Sequence, residues 1–232
     1  MADKSRTDGK AGVPMNDITP DPNRDLLLAV DLQYDFCPGG ALEVSEGDRV
    51  VPVINRLIPA FANVGTTQDW HPAGHGSFAS QHEGKAPFET TEMPYGTQIL
   101  WPDHCVQGSR GAAFHEDFQL DACQFIIRKG FRKAIDSYSA FYENDGETAT
   151  GLTGYLNERG ITRLFLAGLA LDFCVYYSAL DARREGFEVV LVKDATAAID
   201  LNGSKEAALW EMEDKGVVVT ESATILQAVQ GA

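Results

Sequence analysis

Nowhere in this chain is there an apolar run long enough to cross a bilayer, so a membrane-spanning helix is not expected. Basic residues are scarce: 19 Lys and Arg stand against 34 Asp and Glu, for a formal net charge of −15. Such a surface repels phosphate backbones and anionic headgroups, which excludes nucleic acid and membrane surfaces as expected partners. The same acid excess is what a well-solvated surface carries, and it says nothing about substrate. Cysteine is also sparse. Cys37, Cys105, Cys123 and Cys174 lie far apart with no CxxC pair, so four separate thiols are expected rather than a disulfide framework. Residues 1–25 hold no apolar stretch that could act as a signal, and Asp3 and Asp8 disfavour a transit peptide. The expected compartment is the cytoplasm.

Apolar residues make up 44% of the 232, enough for the core of one α/β domain. Residues 1–24 are polar and aperiodic and read as a flexible tail; residues 25–232 read as one domain. Leu26–Val30 is a continuous apolar run, as in a strand buried on both faces. Further strands are expected at 64–68, 124–128, 163–167, 188–192 and 217–219. Helices are expected from Asp48, a possible cap, through Phe61, and at 147–159, 172–185, 203–215 and 222–230. Glycines 160, 186 and 216 stand where three of these helices should stop. The alternation implies a single-domain three-layer α/β/α fold with a mainly parallel sheet of about six strands. Residues 70–120 break the alternation. They are rich in Gly, Pro and His but also in aromatics, which argues for an ordered functional insert.

Ligands of open parallel sheets bind beyond the carboxyl ends of the strands. The expected strand ends deliver Asp31, Asp69 with His71, Lys129, and the run Gly168–Cys174 to that edge. Cys174 falls where a strand passes into a helix, where free N–H groups and the helix dipole favour a thiolate and could hold an oxyanion. A buried unreactive cysteine is the plain alternative. Asp31 could accept the thiol proton, with the Lys129 ammonium beside it; separately, each could be an ordinary turn cap or surface charge. In extended chain Asp69 and His71 point the same way, and four of the five histidines fall within 71–104. A carboxylate with imidazoles and open positions suits Zn, Fe or Mn; a hydrogen-bonded histidine cluster is the alternative. Phe36, Trp70 and Trp101 adjoin these residues and could wall a flat aromatic ligand or simply be core. Cys37 and Cys105 could line the pocket, and Cys123 reads as core.

Five segments carry a family resemblance: Val30–Phe36, Asp69-Trp70-His71-Pro72, Trp101–Val106, Arg128-Lys129-Gly130 and Ala167–Val175. Over about residues 25–225 the chain resembles the nicotinamidase/pyrazinamidase group of the isochorismatase-like cysteine hydrolases. The resemblance implies a Rossmann-like, isochorismatase-like fold with Asp31, Lys129 and Cys174 as catalytic triad. It implies Asp69, His71 and His104 as ligands of one divalent ion, zinc ahead of iron or manganese. Phe36 and Trp101 would flank the substrate ring, with Tyr138 nearby. The Leu169–Ala170 bond would be cis, and the amides of Ala170 and Cys174 would form the oxyanion hole. His75 stands at a different spacing from the further histidine some relatives use, and is a possible additional ligand or a neighbour of the ligands. The implied substrate is a small aromatic amide such as nicotinamide, cleaved through a cysteine thioester, in a chain that could form homo-oligomers. Two alternatives stay open. One is a metal-free hydrolase of the superfamily, such as an N-carbamoyl amidase or an isochorismatase. The other is a non-catalytic binding protein on this fold.

Overall fold

The computed structural model describes residues 18–231. The expected tail therefore lies outside the described residues over 1–17. Of its last part, Ile18 packs against the core, and the backbone of Asp21 accepts hydrogen bonds from Arg24 and Asp25.

Six strands form one parallel sheet: β1 (Asp25–Val30), β2 (Val64–Asp69), β5 (Ile126–Lys129), β6 (Arg163–Leu169), β7 (Glu188–Ala197) and β8 (Val218–Thr220). Their order is β5-β2-β1-β6-β7-β8. The chain builds β1, β2 and β5 outward on one side, then crosses back to lay β6, β7 and β8 on the other, so a crevice opens between β1 and β6 at their carboxyl ends. Every residue of β1 and β6 is buried, which explains the apolar runs 26–30 and 164–169. Alternate residues feed two cores. Leu27, Ala29, Phe165 and Ala167 meet α1 (Val50–Leu57) and α5 (Ser222–Gln230) on one face. Leu26, Leu28, Leu164 and Leu166 meet α2 (Leu152–Glu158), α3 (Tyr176–Arg184) and α4 (Ser204–Asp214) on the other. The result is the expected three-layer architecture. No helix among the described residues is long and apolar enough to cross a membrane.

Four local expectations are corrected. Asp48 caps nothing: it lies inside a 3-10 turn, Gly47–Arg49, that leads into α1. The helix expected from 147 begins at Leu152, because the Asp145 side chain accepts the N–H groups of Glu147 and Thr148 and folds that stretch into a turn. The helix expected from Asp172 opens as a π turn, Leu171–Val175, before α3 begins. The insert contains an antiparallel hairpin, β3 (Thr90–Met93) and β4 (Gly96–Ile99), too short and exposed to show periodicity.

At the amino end of the sheet, Asp25 and Arg163 are register partners, 1% and 2% exposed, joined by two hydrogen bonds, one of 2.9 Å from Nε. Removing one member of a buried ion pair strands the other charge and costs about 3–5 kcal/mol. Asp25→Ala should lower the urea unfolding free energy by about that amount, and a double Asp25→Leu/Arg163→Met variant should lose less. Equal losses in the two would show that the pair itself, and not the stranded charge, carries the effect.

Candidate active site

Lys129 stands at the centre of the carboxyl edge. It is fully buried, and its Nζ lies 2.8 Å from Asp31 Oδ2, 3.0 Å from Asp69 Oδ1, 3.3 Å from Cys174 Sγ and 3.1 Å from the Ser137 carbonyl. Each neighbour arrives from a different segment. Asp31 follows β1 with a left-handed φ of 48°, and Thr67 on β2 donates to its Oδ1 at 2.6 Å. Asp69 ends β2 as the register partner of Lys129, its backbone clamped by the Gln33 amide, which donates to the Asp69 carbonyl and accepts its N–H. Cys174 sits in the π turn after β6, just past the cis Leu169–Ala170 peptide. Gly130 must be glycine: its φ is +66°, and a Cβ there would lie 2.5 Å from the His71 ring.

Burial works against the Lys129 ammonium, yet Asp31 and Asp69 hold its pKa well above the ordinary value. Burial pushes the Asp31 carboxyl up, with Lys129 opposing. Burial likewise holds the Cys174 thiol well above the usual range, and Lys129 opposes that rise. Burial thus favours the thiol, with its proton, over the thiolate at this sulfur, with Lys129 pulling the other way. Asp31 Oδ2 is buried and has no well-directed hydrogen bond, so it keeps a lone pair for that proton. Asp69 is the counterweight. Burial would raise it, but His71 and Lys129 hold it well below the usual carboxylate range.

Beside this triad Asp69 Oδ2 lies 2.9 Å from His71 Nε2 and 3.2 Å from His104 Nε2. The other nitrogen of each ring faces a carbonyl, Gly130 at 2.9 Å and Pro102 at 2.8 Å. A carbonyl only accepts, so each Nδ1 carries a hydrogen, and in the neutral ring each Nε2 presents a bare lone pair. Two imidazole lone pairs converging on one carboxylate oxygen repel unless a cation or proton lies between them. The donor set therefore fits a divalent ion, and these three residues form a buried group able to hold one. His75 is engaged elsewhere. Its Nε2 faces the carbonyls of Arg132 and Ile135, its Nδ1 pairs with Ser77 Oγ at 2.8 Å, and its ring packs 4.4 Å from that of His71. It supports His71 from behind. Burial, with His71 beside it, lowers its pKa. A second grouping, His71, His75 and Asp136, is also compact, but both ring nitrogens of His75 are already used.

Cys174 from the first group and Asp69 and His104 from the second line one cavity, with about 310 Å³ of empty space when the open solvent at its mouth is included. Phe36, Trp101 and Tyr138, singled out in the sequence, line it; so do Ala170, His104 and Cys174. Trp70 instead stacks under Arg128, and among the described residues neither Cys37 nor Cys105 lines the cavity. Burial pushes the Cys37 thiol up to about 11. Cys123 is half-buried against the core, and all four thiols are unpaired. Sequence reasoning missed Leu42, Asp136, Phe173 and Ile199, which complete the lining. Asp136 is buried, stands 4.0 Å from His71 Nε2 and accepts from the Gln98 amide. It lies in an aperiodic loop, where no spacing marks it.

An α/β sheet with this edge defines a class of hydrolase, and the Isochorismatase domain family matches residues 25–224. The chain belongs to that family. It is 50% identical over 204 residues to a nicotinamidase of Acinetobacter baylyi, covering 88% of this chain and 95% of that protein. The structure superposes on an Acinetobacter baumanii nicotinamidase/pyrazinamidase with a TM-score of 0.87 at 52% identity, covering 88% of this chain and 99% of the other. A zinc complex of Pyrococcus horikoshii pyrazinamidase gives a TM-score of 0.70 at 37% identity, covering 85% and 99%.

Burial would lower the pKa of His71, but Asp69 raises it above the ordinary 6.5. A protonated His71 has no lone pair for a metal. Zinc affinity of the stripped protein should therefore fall about tenfold per pH unit below that raised value, one proton being displaced. A pH-independent zinc titration would remove His71 from the ligands. Asp69→Ala should lose the ion at every pH; unchanged metal content would remove Asp69.

Proposed function

We propose that this protein is an amidase that hydrolyses nicotinamide, and pyrazinamide with it, to the carboxylic acid and ammonia. The observation that carries the reading is the position of Lys129 Nζ. It lies 3.3 Å from the Cys174 sulfur and 2.8 Å from Asp31, and Cys174 lines the same cavity as Asp69 and His104. Nicotinamidase relatives that match over nearly their whole length support the substrate class. Four unpaired thiols fit a reducing compartment, and we place the reaction in the cytoplasm.

Phe36 and Trp101 flank the flat ring, with Tyr138 beside it. Asp69, His71 and His104 would hold a divalent ion, zinc ahead of iron or manganese, which would supply Lewis acidity beside the ring. Asp31 takes the Cys174 proton, and Lys129, 2.8 Å from its Oδ2, steadies both charges as they form. The sulfur attacks the carboxamide carbon. The N–H groups of Ala170 and Cys174 hold the oxyanion, each such donor being worth about 10²–10³ in rate. Asp31 returns the proton to the departing nitrogen, which leaves as ammonia and gives the thioester. Water then attacks the thioester carbon, Asp31 taking its proton and passing it to the sulfur as the acid departs.

Cys174→Ala should abolish ammonia release from nicotinamide while the circular dichroism of the fold is kept; turnover in that variant would end the proposal. A chelator should remove the activity of the wild-type protein and added zinc restore it. Indifference to chelation would favour a metal-free amidase of the family.

A further inference from the structure

Ile199, a wall of the cavity, lies between the end of β7 and a 3-10 turn, Leu201–Gly203, and belongs to neither. β7 runs on to Ala197, its pairing with β6 shifting register between Leu166 and Gly168. The chain then crosses to α4 through three left-handed residues, Asp200, Asn202 and Gly203, with φ of 58°, 55° and 85°. That single 3-10 turn is all the regular structure between β7 and α4.

Its anchor is a side chain. Asp172, 4% exposed, accepts the Ile199 N–H on Oδ1 at 3.0 Å and the Asp200 N–H on Oδ2 at 2.8 Å, and Ser204 Oγ donates to Oδ2 as well. Asp172 lies in the π turn that carries Cys174, and Phe173 between them stacks edge-on against Trp101 at 4.9 Å. One carboxylate thus ties the Ile199 segment to the nucleophile's turn. The reacting groups are held by other bonds: Thr67 on Asp31, Asp31 and Asp69 on Lys129, and Ser178 on the Cys174 carbonyl at 2.6 Å.

We propose that Asp172 is a positioning residue: its buried carboxylate sets Ile199 as a wall of the substrate cavity and so governs how tightly the aromatic amide is held. This rests on the amidase reading above. Freeing the segment should weaken ring binding and leave the acid–base groups in place, so the effect belongs in KM and not in kcat.

The test is steady-state ammonia release from nicotinamide by the full-length, zinc-loaded protein and its variants. Asp172→Ala should raise KM tenfold or more with kcat within about threefold of wild type. Ile199→Ala should raise KM similarly, and the double variant should add little, since both changes remove the same wall. An unchanged KM in a folded Asp172→Ala variant overturns the proposal. So does a kcat collapse at unchanged KM, which would make Asp172 a support of the nucleophile, and so do KM effects that multiply in the double variant. If Asp172→Ala does not fold, Ser204→Ala removes a single bond: a several-fold rise in KM at constant kcat supports the proposal, and no change overturns it. A wild-type protein that releases no ammonia overturns the amidase reading and this proposal together, whereas an active wild type with indifferent variants overturns the proposal alone.

Discussion

A single buried ammonium organises the active edge. Desolvating Lys129 costs several kcal/mol, and the cost is offset only because two carboxylates and a carbonyl surround it. That requirement draws the ends of β1, β2 and β5 together and places the Cys174 turn against them. It also makes Asp69 serve two partners, Oδ1 toward Lys129 and Oδ2 toward His71 and His104. The Lys129–Cys174 group and the group able to hold a metal are therefore electrostatically joined through one carboxylate.

The surroundings act mainly to fix orientation. Carbonyls of Gly130 and Pro102 set the histidine tautomers, and Gly130 is bare of a side chain so that the His71 ring can approach. Gln33 locks the Asp69 backbone, His75 backs His71, and Thr67 orients Asp31. None of these groups needs to react. They hold donors and acceptors where charge will develop, so little reorganisation is left for the reaction itself.

Much of this was legible in sequence, for a physical reason. Strands buried on both faces are written in Leu and Val, so β1, β6 and β7 are plain, and a parallel sheet puts the residues just past their carboxyl ends on one edge. β2 is harder to read because Thr66, Thr67 and Gln68 are polar yet buried, their side chains spent on Ala29, Asp31 and Ala112. The hairpin in the insert is too short and exposed to show periodicity, and the Asp145 turn and the π turn at Cys174 involve side-chain hydrogen bonds that no periodicity reports. Asp136 and Ile199 reach the cavity from irregular loops, so their types and spacing carried no signal. Asp172 showed only as a residue near a helix start; its role becomes visible when its carboxylate is seen to accept the N–H groups of Ile199 and Asp200.

The joined charges of Asp69 and Lys129 can be tested at the sulfur. An ion on Asp69 takes up negative charge that otherwise faces Lys129, leaving more of the ammonium's field on the Cys174 thiol and making it more acidic. The direct measurement is the rate at which iodoacetamide alkylates Cys174 at a fixed, mildly alkaline pH, with zinc loaded and with zinc stripped. The account predicts faster alkylation in the zinc-loaded protein; equal rates would show that the two halves of the site do not communicate.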